Sequence, residues 1–208
     1  MKKLLFLALI AFISLNIKAQ TVDLFNGKDL SNWDFVVKDN AVAPEDVFSV
    51  QDGVVLIQGQ PFGYMFTKEK YADYTLEAEW SWLEKATNSG IFIIMEETTN
   101  PFPKTIECQL HAGDAGDFVC LAGADLLEYK TPEGKERPAF PVVAKKQPSN
   151  EKPVGEWNKA KIIVKDGKIT VYINDVLQNE GTSPVKKGHI GLQSEGGPVQ
   201  FRNVKLTK

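Results

Sequence analysis

The sequence predicts an all-β protein whose strands form a two-sheet antiparallel β-sandwich. Runs of alternating polar and apolar residues recur along the chain, and turn-forming residues separate them. Asp-Gly at 52–53 and at 166–167 and Asn-Asp at 174–175 stand between such runs, where tight hairpin turns require positive backbone φ angles. Only residues 67–72 suggest a helix, of about one turn. Many short strands with almost no helix favour two packed sheets.

The alternation places strands along most of the chain from residue 48 onwards. The predicted strands are residues 48–50, 54–57, 74–82, 90–95, 105–111, 117–122, 161–165, 168–174, 176–177, 188–194 and 199–206. Residues 123–155, by contrast, contain five prolines and many charges with little alternation. This segment is predicted to be a long loop, which is either a binding loop or lid or a mobile surface excursion.

The first nineteen residues are predicted to be a secretory signal peptide. Lys2 and Lys3 precede an apolar run at 4–15, and Ala19 is the small residue before the predicted cleavage point. The run is shorter than the ~20 residues that a membrane-spanning helix needs, although a retained anchor is the alternative interpretation. We therefore expect export to the periplasm or the cell exterior, and one mature domain at residues 20–208.

The charge balance of the mature chain argues against nucleic-acid and membrane partners. Removing Lys2, Lys3 and Lys18 from the 24 basic residues leaves 21 against 27 acidic residues, a net charge of −6. An acidic chain without a clustered basic stripe binds nucleic acid poorly. The sequence has no second apolar span and no basic amphipathic helix, so we expect no membrane partner.

The chain contains two cysteines, Cys108 and Cys120, and both fall in predicted strands. A hairpin centred near Asp114 would place them opposite each other, where they could form a disulfide in an oxidising compartment. The alternative is a pair of small buried apolar side chains. A zinc site is not expected, because the sequence offers only His111 and His189 as imidazole ligands.

The segment Thr-Ile-Glu-Cys-Gln-Leu-His at 105–111 is the most informative in the chain. On a strand, Glu107, Gln109 and His111 share one face, and the apolar residues between them share the other. The apolar face suits the space between two sheets. The polar face brings a carboxyl, an amide and an imidazole into one row, about 7 Å apart, which can bind sugar hydroxyls and carry a proton. An ordinary solvated sheet face is the alternative.

A second polar row is predicted in the strand at 188–194 and the residues that follow it. His189, Gly191, Gln193 and Glu195 share a face if the strand is regular. Gly191 would lower the sheet surface and let a ligand approach the backbone. A solvated face with a packing glycine is again the alternative.

A third row lies in the strand at 74–82. Glu79 alternates there with apolar residues that include Trp80 and Trp82. Core packing is favoured over sugar stacking for both tryptophans, because they share a parity with apolar neighbours. The chain has neither a G-x-S-x-G nucleophile motif nor a phosphate-binding glycine loop, so catalysis would depend on carboxyl, imidazole and amide groups.

Several short motifs stand in a characteristic order along the chain. They are Leu24-Phe25-Asn26-Gly27-Lys28-Asp29-Leu30 with Trp33, Asn88-Ser89-Gly90-Ile91, Glu107-x-Gln109, Gly155-Glu156-Trp157-Asn158, Gly188-x-Ile190-Gly191-Leu192-Gln193-Ser194-Glu195-Gly196 and Phe201-Arg202-Asn203-Val204. In order and spacing the chain resembles the 3-keto-disaccharide hydrolase family over essentially its whole mature length. The resemblance implies a secreted concanavalin A-like jelly roll. Many members carry Arg at the position of Ile94 and Asp shortly after Glu-x-Gln, so substrate preference can differ here.

The resemblance also implies a substrate, a glycoside whose sugar an upstream oxidoreductase has oxidised to a ketone at its third carbon. The ketone acidifies the hydrogen on the second carbon, so a base can start elimination of the group on the anomeric carbon, and water then adds. Glu107 and His111 are the catalytic candidates, one as the base and the other orienting it or the substrate. The expected sugar-binding residues are Gln109, Gln193, Glu195, Asn88 and Glu79. No cofactor is certain, although a divalent cation could serve as electrophile.

Two other functions are consistent with the same residues. Glu107 and Glu195 could act as paired carboxylates on an unoxidised glycoside, if about 5–10 Å separates them. A non-catalytic carbohydrate-binding module or lectin-like protein could use the same fold, because a shared fold does not decide function. A buried pocket around Glu107 and His111 would favour catalysis. A shallow groove lined by exposed Trp or Tyr would favour binding alone.

Overall fold

The computed structural model describes residues 20–208, which consist mainly of β-strands and their connections. The predicted signal peptide at 1–19 lies outside the described residues. A 3-10 turn (Lys38–Asn40) and a short helix, α1 (Pro44–Val47), accompany the strands. The strands are β1 (Thr21–Asp23), β2 (Trp33–Val37), β3 (Phe48–Gln51), β4 (Val54–Ile57), β5 (Gly63–Thr67), β6 (Tyr74–Trp82), β7 (Gly90–Met95), β8 (Thr105–Gln109), β9 (Phe118–Leu121), β10 (Val142–Val143), β11 (Asn158–Lys165), β12 (Lys168–Ile173), β13 (Val176–Thr182), β14 (His189–Ser194) and β15 (Val199–Thr207). Within this part of the chain, no helix is long and apolar enough to cross a bilayer.

The strands form two antiparallel sheets, which confirms the predicted fold class. The eight-stranded sheet has the order β13-β12-β11-β6-β15-β4-β3, and β1 pairs with the C-terminal part of β15. The seven-stranded sheet has the order β10-β9-β8-β7-β14-β5-β2. Strand β8, which carries Glu107, therefore lies inside the seven-stranded sheet between β7 and β9.

The tight turns of the eight-stranded sheet are those that the sequence predicts. The pairs at 52–53, 166–167 and 174–175 connect β3 to β4, β11 to β12 and β12 to β13. Both central residues of each turn have positive φ angles, between 47° and 82°. This is the backbone conformation that matches the twist of the flanking strands, which explains the Asp-Gly and Asn-Asp pairs.

The predicted helical turn at 67–72 is wrong, because Thr67 and Tyr71 form hydrogen bonds with β14 and with the residue before it. Thr67 ends β5, and its hydroxyl accepts a hydrogen bond from the Ile190 N–H at 3.1 Å. Tyr71 forms an isolated bridge with Gly188, in which both N–H groups donate to the opposite carbonyl at 2.8 and 3.1 Å. These contacts between distant segments replace the local hydrogen bonds of a helix.

One apolar core fills the space between the two sheets. Trp80 and Trp82 of β6 are 0% and 2% exposed in this core, which confirms the packing role predicted for them. Cys108 and Leu110 enter the same core from the seven-stranded sheet and are fully buried. Because strand side chains alternate between faces, Glu107 must point away from the core.

Both cysteines carry free thiols, as the apolar alternative expected. Cys108 is opposite Phe118, and Cys120 is opposite Ile106, so the two cysteines are diagonal neighbours. The hairpin is therefore centred one residue before Asp114. A shift of one residue in the centre moves every cross-strand partner by two, which separates the pair.

The connection between β9 and β11 contains one strand of two residues, β10, and otherwise consists of turns and irregular chain. Its backbone is nevertheless tied to the sandwich. The Lys146 N–H donates to the Gln178 carbonyl at 2.7 Å, and the Glu151 carboxylate accepts from the Gly113 N–H at 2.8 Å. The long connection therefore contacts the β8–β9 hairpin, beside the candidate site.

Candidate functional site

Glu107 lies on the outer face of the seven-stranded sheet, among apolar side chains. These side chains, which we call the outer cluster, are Tyr64, Phe66, Phe92, Met95, Val119 and Leu121. Glu107 is opposite Phe92 on β7 and opposite Val119 on β9. Only 2% of Glu107 is exposed. The predicted alternation of β8 is confirmed, but its polar face is buried at Glu107 rather than solvated.

The Glu107 carboxyl group occupies space that a glycine leaves open. Gly90 is opposite Gln109 at the start of β7, two residue pairs from the Phe92–Glu107 pair and on the same face of the sheet. A Cβ atom at Gly90 would lie 2.7 Å from Glu107 Cδ and 2.8 Å from Glu107 Cγ, closer than real contacts allow. Gly90 therefore fixes where the carboxyl group lies, which gives the glycine of the Asn-Ser-Gly motif a physical role.

A second carboxyl group, that of Glu195, is close enough to affect Glu107. Burial raises the pKa of Glu107 well above its ordinary value of 4.5, and the charge of Glu195 raises it further. Burial also raises the pKa of Glu195, while hydrogen bonding by Asn88 and Gln193 and the charge of His111 oppose that increase. The two carboxyl groups therefore retain a proton to higher pH than exposed carboxyl groups would.

Four buried polar atoms around this face lack a hydrogen-bond partner among the described residues. They are the Tyr64 hydroxyl, Asn88 Oδ1, Glu107 Oε1 and Gln193 Oε1. Buried polar groups are normally paired, because an unpaired one costs about 1–3 kcal/mol. These four are half of the eight such atoms between residues 20 and 208. Their concentration at one place indicates hydrogen-bonding groups arranged for a ligand.

Neighbouring contacts hold the amide groups of this cluster in place. Gln193 is opposite Tyr64 in the β14–β5 pair, and its Nε2 donates to Glu195 Oε2 at 2.8 Å. The Ser89 hydroxyl donates to the Gln193 carbonyl at 2.9 Å, which fixes the segment carrying Asn88 beside β14. Asn88, Gln193 and Glu195 are thus brought together with Glu107, and their role in binding a ligand stays a prediction.

Gln109 and His111 lie at the exposed end of the same site. Gln109 Oε1 accepts hydrogen bonds from the N–H groups of Leu110 and His111, both at 3.0 Å, which leaves its Nε2 for other contacts. His111 follows the end of β8, and its side chain is 52% exposed. Its Nδ1 lies 3.1 Å from Asp114 Oδ2. His111 is therefore oriented by a carboxylate but is not buried with Glu107.

Comparison with known proteins assigns the chain to a family. A family model described as a 3-keto-alpha-glucoside-1,2-lyase-like domain matches residues 20–207. The chain belongs to this family. A curated relative, the 3-keto-disaccharide hydrolase of Bacteroides thetaiotaomicron, is 24% identical, and the alignment covers 89% of this chain and 77% of the relative. The family resemblance read from the motifs is thereby confirmed.

Solved structures share the fold of this family member. A Parabacteroides distasonis protein proposed to be a glycosyl hydrolase has a TM-score of 0.64 and 23% identity, over 90% of this chain and 98% of that one. The carbohydrate-binding module CBM66 of Bacillus subtilis has a TM-score of 0.59 and 14% identity, over 84% of this chain and 94% of the module. At these identities, the likenesses establish the sandwich fold alone.

The structure places Glu79 in the other sheet, away from the other candidate residues, and does not bring it into the site. Strand β6 belongs to the eight-stranded sheet. Glu79 Oε2 accepts a hydrogen bond from Arg202 Nε at 2.6 Å, and its Oε1 accepts one from Asn203 Nδ2 at 3.0 Å. The Arg202 guanidinium also lies over the Trp157 ring, 4.0 Å from its centroid. Arg202 therefore connects Glu79 to Trp157, and the motifs at 155–158 and 201–204 contact each other at this place.

The second polar row is only partly as predicted. Gly191 does not open the sheet to a ligand, because the Phe92 ring covers it, and a Cβ there would lie 3.0 Å from Phe92 Cδ2. A bulge between His189 and Gly191 interrupts the pairing with β7. His189 Nδ1 instead lies 2.7 Å from the Thr67 carbonyl oxygen. Only Gln193 and Glu195 of this row reach the site.

Sequence reasoning did not assign a role to two side chains of the site. Tyr64 falls in Gly-Tyr-Met-Phe-Thr, a strand that is buried on both faces and carries no alternating signal. Asp114 orients His111, and its Oδ1 lies 3.2 Å from Lys145 Nζ. The His-x-x-Asp spacing in a turn was the available signal for Asp114, because a turn brings residues three apart into contact.

No resident metal can be assigned a ligand set from residues 20–208. In this range, no three His, Cys, Asp or Glu side chains are grouped closely enough to hold an ion. The divalent cation that was considered as an electrophile therefore receives no ligands here.

Proposed function

We propose that this protein cleaves the glycosidic bond of 3-keto-glycosides, including 3-keto-disaccharides, by base-assisted elimination followed by hydration. The observation that carries the proposal is the buried Glu107 carboxyl group, which has one unpaired oxygen and a raised pKa. Membership of the 3-keto-alpha-glucoside-1,2-lyase-like family supports a carbohydrate-active, hydrolase-like role. The Bacteroides relative is a 3-keto-disaccharide hydrolase, which supports an oxidised substrate for this protein.

The proposed reaction has two balanced steps. A base takes the proton from the second carbon, the electron pair forms a double bond to the anomeric carbon, and the bond from that carbon to the leaving oxygen breaks. The leaving group takes up a proton and departs as an alcohol. Water then adds its hydroxyl to the anomeric carbon and a proton to the second carbon, so the net reaction is hydrolysis.

Glu107 is the stronger of the two base candidates. An exposed carboxylate is a weak base, but burial raises the pKa of Glu107 and so increases the proton affinity of its ionised form. His111 has an imidazole whose reference pKa, about 6.5, suits proton transfer, and Asp114 orients it. Its exposure places it at the mouth of the site. Glu107 therefore takes the carbon-bound proton, and His111 positions the substrate or exchanges protons with solvent.

Neutral hydrogen-bonding groups around Glu107 are suited to the charge that develops on the ketone oxygen. Burial raises the pKa of Tyr64, so its hydroxyl remains protonated and can donate. Gln109 Nε2 supplies a further donor, and Asn88 Oδ1 and Gln193 Oε1 supply acceptors for sugar hydroxyls. Such preorganised donors stabilise a developing oxyanion in a site from which water is excluded.

The experiment that tests the proposal compares 3-keto-trehalose with trehalose. We expect release of free sugar from the oxidised substrate only, because plain trehalose lacks the acidified hydrogen. In D₂O, elimination and hydration must place deuterium on the second carbon of the product sugar. Glu107→Gln and His111→Ala are measured in parallel, with folding checked by circular dichroism. If both folded variants keep more than about a tenth of the parent rate, neither residue is the base.

A second enzymatic function is favoured by one observation, the electrostatic coupling of Glu107 to Glu195. Paired carboxylates with separated pKa values are the arrangement that hydrolyses unmodified glycosides directly. This mechanism requires no ketone and leaves the hydrogen on the second carbon in place. Equal turnover of trehalose and 3-keto-trehalose without deuterium incorporation would replace the elimination mechanism with this one.

A non-catalytic carbohydrate-binding role is the third function to be tested. Sugar-binding surfaces commonly present exposed Trp or Tyr rings. Among residues 20–208, the exposed large hydrophobic side chains include neither Trp nor Tyr. Calorimetric binding of trehalose or 3-keto-trehalose without any turnover would support this role and overturn the enzymatic ones.

The proposed reaction also requires a partner enzyme that supplies the oxidised substrate. Its substrate must come from an oxidoreductase that converts the hydroxyl on the third carbon of a glycoside to a ketone. If the predicted signal peptide at 1–19 is cleaved, both reactions take place in the periplasm or outside the cell. Cell fractionation of the full-length protein, followed by N-terminal sequencing of the mature form, tests the localisation.

A further inference from the structure

A strip of three phenylalanine rings begins beside the carboxyl pair. Gly63 is opposite Ser194 in the β5–β14 pair, so the next residues beyond that pair are Phe62 and Glu195. Alternation places Phe62 on the face of the outer cluster. The Phe62 ring centroid lies 5.5 Å from that of Phe102, which belongs to the connection between β7 and β8. Phe62 therefore lies one residue beyond the last β5–β14 pair, on the strand next to that of Glu195, and Phe102 packs against Phe62.

The third ring extends the strip towards the far edge of the sheet. The centroid of Phe140 lies 5.9 Å from that of Phe102. Val142 is opposite Val119 of the outer cluster, and Phe140, two residues earlier, shares its parity. Phe140 is 48% exposed, and the other two rings are half-buried. The strip thus offers accessible ring surface that is continuous with the candidate site.

The chemistry of the strip distinguishes it from the sugar-binding part of the site. Phenylalanine rings have no hydrogen-bonding group, whereas a second sugar ring needs partners for its hydroxyls. The one cation facing the strip among the described residues is Lys38, whose Nζ lies 5.9 Å from the Phe62 centroid. A flat apolar group needs only the ring surface, since offset or edge-to-face aromatic contacts are favourable at such distances.

We propose that Phe62, Phe102 and Phe140 bind the leaving group, and that the protein prefers 3-keto-glycosides of aromatic or other flat apolar alcohols. This inference rests on the proposed function, because it assigns the sugar to the side of Glu107, Gln193 and Glu195. The leaving group then extends over Phe62 towards the other rings. Phe102 is held locally, because its N–H donates to Asn100 Oδ1 at 2.9 Å.

The test compares the 3-keto-glucosides of benzyl alcohol and methanol, two leaving alcohols of closely similar acidity, with 3-keto-trehalose as the sugar-bearing substrate. We expect kcat/KM for the benzyl glycoside to exceed that for the methyl glycoside by about tenfold. Phe102→Leu should lower this benzyl-to-methyl ratio by about 5- to 10-fold, the loss expected for one aromatic contact. Phe140→Leu, which alters a half-exposed ring and so threatens the fold less, should lower the same ratio.

A matched control is Phe35→Leu. The Phe35 and Phe48 rings are also 5.5 Å apart, but Phe35 packs against the inter-sheet core. This variant should leave the ratio unchanged. Turnover of all three substrates with equal kcat/KM, or an unchanged ratio in folded Phe102→Leu and Phe140→Leu, overturns the leaving-group site but leaves the elimination function intact. Failure to turn over any 3-keto-glycoside overturns the proposed function itself.

Discussion

Glu107 and Glu79 are both carboxylates on central strands, and their surroundings are opposite. Glu79 has a hydrogen-bond donor on each oxygen, from Arg202 and Asn203. Glu107 is more deeply buried and is close to another carboxyl group. Its Oε1 has no hydrogen-bond partner within residues 20–208. Burial raises the pKa of Glu107, whereas the Arg202 and Asn203 contacts outweigh the burial of Glu79 and lower the pKa of that group.

The difference between the two carboxylates separates structural from functional chemistry. A paired carboxylate stabilises the native state, because its charged form is solvated by the protein. An unpaired buried carboxyl group is costly to the fold, so its presence indicates a use elsewhere. Activity should therefore depend on Glu107 and stability on Glu79.

Exchanging each carboxylate for its amide is the most direct test. Glu107→Gln should lower kcat for a 3-keto-glycoside by about 100- to 10,000-fold, the usual loss for a general base, without lowering stability. Glu79→Gln should leave kcat within about twofold and lower the free energy of unfolding by about 1 kcal/mol, because it weakens a partly exposed charged contact. Turnover assays and urea unfolding measure both effects. A stable, inactive Glu79→Gln protein would break the comparison.

A methyl group at Gly90 should impair Glu107 without touching the substrate. In Gly90→Ala, the new Cβ must displace the Glu107 carboxyl group, and misplacement of about 1 Å can cost about 100-fold in rate. Because the variant acts through Glu107, adding it to Glu107→Gln should cost little more activity. The double-mutant cycle is measured by kcat for a 3-keto-glycoside. Full additivity of the two losses would show that Gly90 does not position the carboxyl group.

The contributions of Glu107 and Glu79 to the free energy of unfolding should also change with pH in opposite directions. A carboxyl group with a raised pKa in the folded state binds more protons there than in the unfolded state, so Glu107 makes stability fall as pH rises from 4.5 through its raised pKa. The slope for one such group is at most about 1.4 kcal/mol per pH unit. Glu79 has a lowered pKa, so its contribution is present above 4.5 and is lost as pH falls through the lowered value.

Urea unfolding between about pH 2 and pH 8 tests these signs, because the Glu79 effect falls below pH 4.5 and the Glu107 effect above it. Glu107→Gln should flatten the decrease in stability above pH 4.5, although Glu195 retains part of it, because its pKa is raised in the same direction. Glu79→Gln should instead flatten the decrease on the acid side. If the free energy of unfolding of Glu107→Gln falls above pH 4.5 as steeply as that of the parent, the Glu107 carboxyl group is not buried as the structure has it.

The sequence predicted the local geometry of β8 well, because alternation on a strand is a local property. It assigned Glu107 and Cys108 to opposite faces, and both are placed accordingly. It also predicted the hairpin turns, since positive φ angles demand particular residues at particular positions. Alternation cannot give the sheet to which a strand belongs, and Glu79 was grouped with residues of the other sheet for that reason.

Long-range packing accounts for the other errors. Gly191 was expected to admit a ligand, but the ring of Phe92 on the neighbouring strand fills that space. The register of the two cysteines depended on the hairpin centre, which the composition of the turn left open by one residue. Tyr64 was not identified because its strand is buried on both faces, which removes the alternation that marks a polar face.

The smallest effect is expected at Tyr64, and it sharpens the comparison between satisfied and unsatisfied groups. The Tyr64 hydroxyl is buried without a partner among the described residues, and Tyr64 is opposite Gln193. If it donates to the substrate oxygen, Tyr64→Phe should lower kcat/KM by about 3- to 10-fold, the worth of one hydrogen bond. The protein should become no less stable, since an unpaired buried hydroxyl is removed while the Tyr64–Phe92 ring contact at 5.4 Å is kept.

The control is Tyr74→Phe, which removes a hydroxyl that donates to the Ile93 carbonyl in the inter-sheet core. That variant should lose stability by about 1 kcal/mol and keep its activity. If Tyr64→Phe instead behaves like Tyr74→Phe, losing stability with unchanged kcat/KM, then an unpaired atom on this face does not indicate a functional group, and the inference from burial to function fails at this residue.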